Sequence, residues 1–357
     1  MKSTALKWRQ TKWLCAYFVL HALAATPLSG LASAQSASDL QQRSHLDPRS
    51  ASVPTSRGAR RLAPAINQEP KYKFKKHGAL EYTRGEDYRL TLDVYQPEGE
   101  GPFPAVLAIH GGAWRSGSKI TMLRHAWKLA GAGYVVVAIN YRHAPEHKFP
   151  AQIHDCKQAV RWMRNHATQY SIDPERIAAF GYSAGGHLAA LLGTTSAGDQ
   201  LKGPVETTNN DPASARVQAV IAGGAVCDFS WIDPESRLLK YWIGATRESD
   251  PAAYLAASPT HYISGEAPPF YFYHGEKDAI VPLSSAKQMH RKLTDQGTPS
   301  VFIPVAGKGH LATFGDIGQL EGCIDFLRKH MPARGTNAEG NNHRQAASPE
   351  TTARKDH

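Results

Sequence analysis

A serine with glycine two residues to either side, in the run GYSAGG at 181–186, is where this sequence first offers chemistry. A serine hydroxyl at its ordinary pKa is a weak nucleophile, so the pattern matters only where the chain bends sharply and a base lies within reach. The apolar run IAAF precedes it and HLAALLG follows, which predicts a strand, a tight turn and a helix, the context a nucleophile elbow requires. Gly181 and Gly185 would let backbones pack closely around that turn, and Ser183 would be lifted from the sheet edge.

Three further stretches fit around Ser183. The run AVLAI at 105–109 ends directly in His110, Gly111, Gly112, Ala113 and Trp114. Glycines after a central strand let backbone N–H groups turn toward a developing oxyanion, and the amide of Ala184 would supply another donor. FYFY at 270–273 is followed by HGEKDAIVP, which puts Asp278 on a strand-end loop. VFIPV at 301–305 is followed by AGKGHLATF, which puts His310 on the next. The order Ser, Asp, His is the one α/β-hydrolases use, with His310 as base and Asp278 holding its tautomer. Taken singly, each has a plainer reading. HGG suits a tight turn, Asp278 suits a helix cap near Val281, and His310 suits an ordinary surface histidine. Three strand-end positions in the right order favour the chemical one. His187, one helical turn past Ser183, reads as a local hydrogen-bonding residue. Trp114 reads equally as a substrate-lining or a packing residue, and Asn140, Tyr141 and Arg142 as props for the HGGAW loop.

These positions need a scaffold. Leu90, Leu92 and Val94 alternate with polar neighbours like a half-buried strand. Continuous apolar runs at 105–109, 134–139, 177–180, 217–222, 270–273 and 301–305 predict strands covered on both faces. Helical periods fall at about 151–170 with an inward stripe of Ile153, Val160 and Met163, after Ser183, and over 283–293 and 317–327. The expected class is α/β, a mostly parallel central sheet with helices on both faces. Residues 228–265 break the rhythm with Trp231, Tyr241, Trp242 and Tyr262 among prolines and charges. They read as a packed excursion with a small core of its own or as a partial lid.

HGGAWRSGSK, NYRHAPEHKFPAQIHD, GYSAGGHLAALLG, ASPTHYI, PPFYFYHGEKDAIVP and AGKGHLATF together resemble the α/β-hydrolase superfamily. Within it they are most similar to hormone-sensitive-lipase-like esterases and bacterial xylan side-chain esterases, which remove acetyl or feruloyl groups. The resemblance spans Tyr88 to Leu327. It implies Ser183, Asp278 and His310 as a triad, Gly112, Ala113 and Ala184 as oxyanion donors, and Gly111 as a loop-shaping residue beside His110, Gly181 and Gly185. It also implies that Asp155 supports nearby loops. HGGA replaces the HGGG of lipase-like members, which points to a subgroup, because a backbone amide does the donating. The implied activity is acyl transfer through a serine ester, with exopeptidase or small-amide hydrolysis on the same fold as the alternative. A catalytically silent binding protein is the reading from another class.

Composition sets outer limits. The chain has 357 residues, 41% of them hydrophobic and 20% charged, enough to bury a large core. A basic start and the run LCAYFVLHALAA, closed by Ala32-Ser33-Ala34, predict a signal peptide over 1–34 and a secreted or periplasmic protein. The run falls short of a membrane-spanning length, so no stable membrane anchor is expected. Losing Lys2, Lys7, Arg9 and Lys12 with that segment would lower the formal charge from +10 to +6. The remaining charges are interspersed, which argues against a nucleic-acid partner. Residues 35–70 and 332–357 read as flexible ends around a catalytic domain at 71–331. Cys156, Cys227 and Cys323 would remain, leaving one bridge plus a free thiol open. No spacing suits a metal, and no glycine-rich loop suits a nucleotide cofactor.

Overall fold

The apolar runs form the middle of one eight-stranded sheet in the computed structural model, which describes residues 71–195, 201 and 215–332. The expected signal segment, the polar stretch before residue 71 and the tail beyond 332 lie outside those residues. The strands are β1 (Phe74–Arg84), β2 (Arg89–Pro97), β3 (Phe103–Ile109), β4 (Val135–Ile139), β5 (Ile172–Tyr182), β6 (Ala219–Gly223), β7 (Phe270–Gly275) and β8 (Ser300–Val305). Their spatial order is β1-β2-β4-β3-β5-β6-β7-β8. β2 is antiparallel to β1 and β4, and every other pairing is parallel. Every residue of β3 and β4 is buried, the reason these strands read as unbroken apolar runs.

The helices are α1 (Leu123–Gly131), α2 (Ala151–Asn165), α3 (Ala184–Thr194), α4 (Arg237–Ile243), α5 (Pro251–Ala257), α6 (Leu283–Asp295), α7 (His310–Gly315) and α8 (Gln319–His330). Alternation along the strands divides the core between the two sheet faces. Leu107, Ile109, Val135 and Val137 meet Ile153, Val160, Leu188 and Met289 of α2, α3 and α6 on one face. Val106, Ala108, Val136 and Ala138 meet Leu129, Ile324 and Leu327 of α1 and α8 on the other. This is the α/β architecture expected from the sequence. The parallel strands deliver their carboxyl ends to one edge, where such sheets place their ligands.

Three features depart from expectation. β1 is an edge strand rich in lysine and mostly outside the core, with register breaks after His77 and Glu81, so it shows no clean alternation. α2 stops at Asn165 instead of Tyr170, and Ser171 at φ 54° then turns the chain into β5. The excursion after β6 folds into α4, started by the Ser236 side chain, and α5, started by Asp250 with Pro251 behind it. Its aromatics do not make a separate small core. Phe229, Trp242 and Tyr254 join the main one, leaving Trp231 and Tyr241 exposed.

Candidate active site

Ser183 stands between β5 and α3 at φ 57° and ψ −122°, a backbone state that a β-carbon ordinarily avoids. The turn lies directly on the end of β3: a β-carbon added to Gly185 would strike the carbonyls of Ile109 and His110, and one on Gly181 would strike the Gly185 backbone. The Ser183 amide donates to the Gly223 carbonyl of β6 at 2.8 Å, which fixes the elbow against its other neighbour. Ala184 opens α3, and the first N–H of a helix has no acceptor within the helix.

The loop after β3 lies against this elbow, and a β-carbon on Gly111 would come within 3.3 Å of Ser183 Cβ. Gly112, Ala113 and Trp114 take φ values of 124°, 52° and 59°, three consecutive left-handed residues. The Gly111 carbonyl accepts from His110 Nδ1 at 2.8 Å. The Gly112 carbonyl accepts from Arg115 N, Ser116 N and Ser116 Oγ at 3.1–3.2 Å. A trans peptide sends its N–H opposite to its C=O. With both carbonyls tied back, the amides of Gly112 and Ala113 face the other way.

His110 is fully buried and stacks on Tyr141 at 4.1 Å, and burial pushes its pKa down to about 3. The Tyr141 hydroxyl donates to the His110 carbonyl at 2.9 Å. Arg142 grips Asp155 through Nε and Nη2, and Asn140 Oδ1 accepts from the Lys119 amide. The segment 140–155 therefore braces the loop from behind. Trp114 is 3% exposed and packed against Trp242, Phe229 and His187, which places it among packing residues and not on an open cleft wall.

Parallel strands lie about 4.8 Å apart, so β8, three strands from β5, ends roughly 14 Å from the elbow. The loop after β8 leans back across that gap. Tyr182, the residue before Ser183, donates from its hydroxyl to the His310 carbonyl at 2.7 Å, and the two rings lie 5.0 Å apart. His310 Nδ1 meets Asp278 Oδ2 at 2.6 Å, leaving Nε2 as the basic nitrogen. The Asp278 side chain is enclosed, with Oδ1 accepting from the amides of Ile280 and Val281 at 2.9 Å each. Burial alone would raise its pKa. Hydrogen bonds from His274, His310 and Val281 outweigh that and hold it well below the usual carboxylate range.

His274, at the end of β7, was passed over in the sequence. It is fully buried, Nε2 donates to the Val281 carbonyl at 2.9 Å, and the same nitrogen lies 3.3 Å from Asp278 Oδ2. Its position four residues before Asp278 in HGEKD was the available signal. His187 hydrogen-bonds through both ring nitrogens as expected, but its partners Trp114 and Ala257 are distant in sequence and not local. Cys156, Cys227 and Cys323 are free and buried. Among the described residues no group of three or more His, Cys, Asp or Glu side chains is arranged to hold a metal ion, and no helix is long and apolar enough to cross a membrane.

The arrangement can be set beside known proteins. The sequence model of the BD-FAE family matches residues 92–293, more than half of the chain, from within β2 to within α6. The chain belongs to the BD-FAE family. The match includes GYSAGG and Asp278 and ends before His310. A probable carboxylic ester hydrolase, LipM of Mycobacterium tuberculosis, is 36% identical over 197 residues, 52% of this chain and 44% of that protein. The chain spans about half the length of the curated relatives it matches. A truncated carbohydrate esterase from gut microbiota superposes with TM-score 0.62 at 26% identity, covering 74% of this chain and 98% of the other. Esterase 2 of Thermogutta terrifontis, phosphoramylated by tabun, gives 0.61 at 28% identity, covering 75% and 98%. This BD-FAE member is thus an α/β-hydrolase-fold protein akin to feruloyl and carbohydrate esterases.

Proposed function

We propose that this protein is a serine carboxylic-ester hydrolase acting on short or aromatic acyl esters, with acetyl or feruloyl groups on plant polysaccharide as the substrate class. The observation that carries the reading is the 2.6 Å bond from His310 Nδ1 to the enclosed Asp278, on a loop that Tyr182 ties to the Ser183 elbow. His310 Nε2 takes the Ser183 proton as Oγ attacks the ester carbonyl, and the oxyanion is met by the amides of Gly112, Ala113 and Ala184. Collapse breaks the ester C–O bond, and the leaving alcohol takes the proton from His310. Water then gives its proton to the same nitrogen and attacks the acyl-serine, and Ser183 regains a proton as the acid departs. That an organophosphorus agent modifies the Thermogutta esterase supports a nucleophilic mechanism on this fold.

The oxyanion assignment also suits a substrate amide, so rates decide the substrate class. Initial rates on p-nitrophenyl acetate, p-nitrophenyl octanoate, acetylated xylan, methyl ferulate and a dipeptide nitroanilide are the test. Acetate or ferulate release should dominate and fall by about 10⁴-fold or more in Ser183→Ala. Activity that survives this substitution sinks the mechanism, and dominant nitroanilide cleavage moves the protein to the exopeptidases. Export follows from residues 1–34 on the same footing: a fusion of that segment to a periplasmic reporter should appear outside the cytoplasm, cleaved after Ala34.

A further inference from the structure

Two consecutive residues other than glycine, Ala113 and Trp114, sit in the left-handed region at φ 52° and 59°. L-residues hold that conformation only when their surroundings over-determine it. The Trp114 carbonyl accepts from Ala144 N at 3.0 Å. Its ring lies flat on Trp242 of α4, centroids 4.0 Å apart and planes 10° from parallel. Its indole Nε1 donates to His187 Nδ1 at 3.1 Å. Accepting there requires the neutral tautomer with its proton on Nε2, and that Nε2 meets the Ala257 carbonyl at the end of α5 at 2.8 Å. Trp242 is held in turn by Gln152 Oε1, which accepts from its Nε1 at 3.0 Å, and by Phe149 N, which donates to its carbonyl. Trp242 and His187 are fully buried, and neither enters the acyl-transfer steps.

His187 sits one turn along α3 from Ala184, and Trp114 is the residue after Ala113. The Trp114–His187 hydrogen bond therefore links the loop that carries Ala113 to the helix that begins at Ala184. We propose that His187 and Trp242 are positioning residues that hold the oxyanion loop through Trp114, making the segment between β6 and β7 a structural part of the acyl-transfer site. The inference rests on the esterase reading and extends it to residues that touch no substrate.

The test compares purified wild type, His187→Leu, His187→Gln and Trp242→Phe on p-nitrophenyl acetate, with a trifluoromethyl ketone as transition-state mimic and a non-hydrolysable amide as ground-state ligand. His187→Leu should lose kcat by about 10²-fold with KM little changed, because an oxyanion donor is displaced only where negative charge develops. Ketone affinity should fall in step while amide affinity holds. His187→Gln, which offers both an acceptor and a donor, should recover most of the loss, and Trp242→Phe should lose about tenfold, the range of one aromatic stacking contact. A kcat in His187→Leu within about threefold of wild type, or a loss of kcat without loss of ketone affinity, overturns the proposal. Should His187→Leu fail to fold, Trp242→Phe with unchanged kcat and ketone affinity overturns it alone. Wild type without Ser183-dependent hydrolysis would sink the esterase reading itself, an outcome distinct from an active wild type indifferent to these substitutions.

Discussion

The two halves of the candidate site are held in opposite ways. At the acid–base corner, Asp278 is gripped by neighbours in the chain, His274, Ile280 and Val281, and only His310 comes from a separate loop. At the oxyanion corner, Gly112 is held by its neighbours Arg115 and Ser116, but Trp114 is held by groups far away in sequence, Ala144, His187 and Trp242, and His110 by Tyr141. Each left-handed residue other than glycine costs about 1–2 kcal/mol. One aromatic stack contributes about 0.5–1.5 kcal/mol beyond area, and one buried hydrogen bond about 1 kcal/mol. Removing a single support therefore takes away an amount comparable to the strain of one such residue. Electrostatics sustains the first corner, and long-range packing sustains the second. Substitutions distant from Ser183 should therefore damage the second corner far more readily than the first.

The largest predicted effect probes the self-contained corner. Asp278→Asn keeps an oxygen for the amides of Ile280 and Val281, but turns an NH₂ toward His310 and His274, both of which already donate there. His310 must then flip its tautomer, leaving Nε2 protonated and useless as a base, and kcat should fall about 10⁴-fold. The melting temperature should move little if the corner is as local as its bonds indicate, and a drop as large as that of a core cavity would erase the contrast.

Acid should strike the other corner first. His187 is buried neutral, its pKa pushed down from 6.5 to about 4 by burial, against a weaker upward pull from the Ala257 carbonyl. Its folded value lies below its unfolded one, so the unfolded chain takes the proton first. The associated stability is present above about pH 6.5 and drains away as pH falls toward 4, about 3 kcal/mol or 10²-fold in the folding equilibrium. Asp278, held well below its ordinary value, keeps its charge through that window. Urea-unfolding midpoints between pH 7 and pH 4 should fall in wild type and fall less in His187→Gln. Equal slopes in the two proteins would remove His187 from the account.

What the sequence made legible follows the same division. The strands β2 to β8, the elbow and the loops bearing Asp278 and His310 could be read because buried parallel strands are continuous apolar runs and their ends carry the chemistry. β1 escaped because an edge strand protected by Lys75, Lys76 and a register break after His77 has neither a run nor a period. The oxyanion loop was found as HGGAW, yet nothing local says that Ala113 and Trp114 are left-handed. The stacking of Trp114 on Trp242 joins residues 128 positions apart and leaves no periodic trace, so the aromatics of 228–265 could be counted while their place in the main core could not. His187 could be assigned a hydrogen-bonding role from its spacing, but its partners at 114 and 257 could not.

The smallest effect tests the cause assigned to the difference between the corners. If strain at φ 52° is what Trp114, His187 and Trp242 restrain, glycine at position 113 should make that restraint less necessary, since glycine enters the left-handed region without a β-carbon penalty. In Ala113→Gly alone, relief of native strain is offset by the greater freedom of the unfolded chain, about 0.4–1 kcal/mol, so the melting temperature should hardly move. Combined with His187→Leu, the same change should restore kcat by about threefold to tenfold over His187→Leu alone, a non-additive coupling of the kind contacting residues show. A strictly additive pair would mean that His187 acts by fixing the distance between α3 and the loop, with the backbone conformation of Ala113 maintained by the Ser116 and His110 bonds alone.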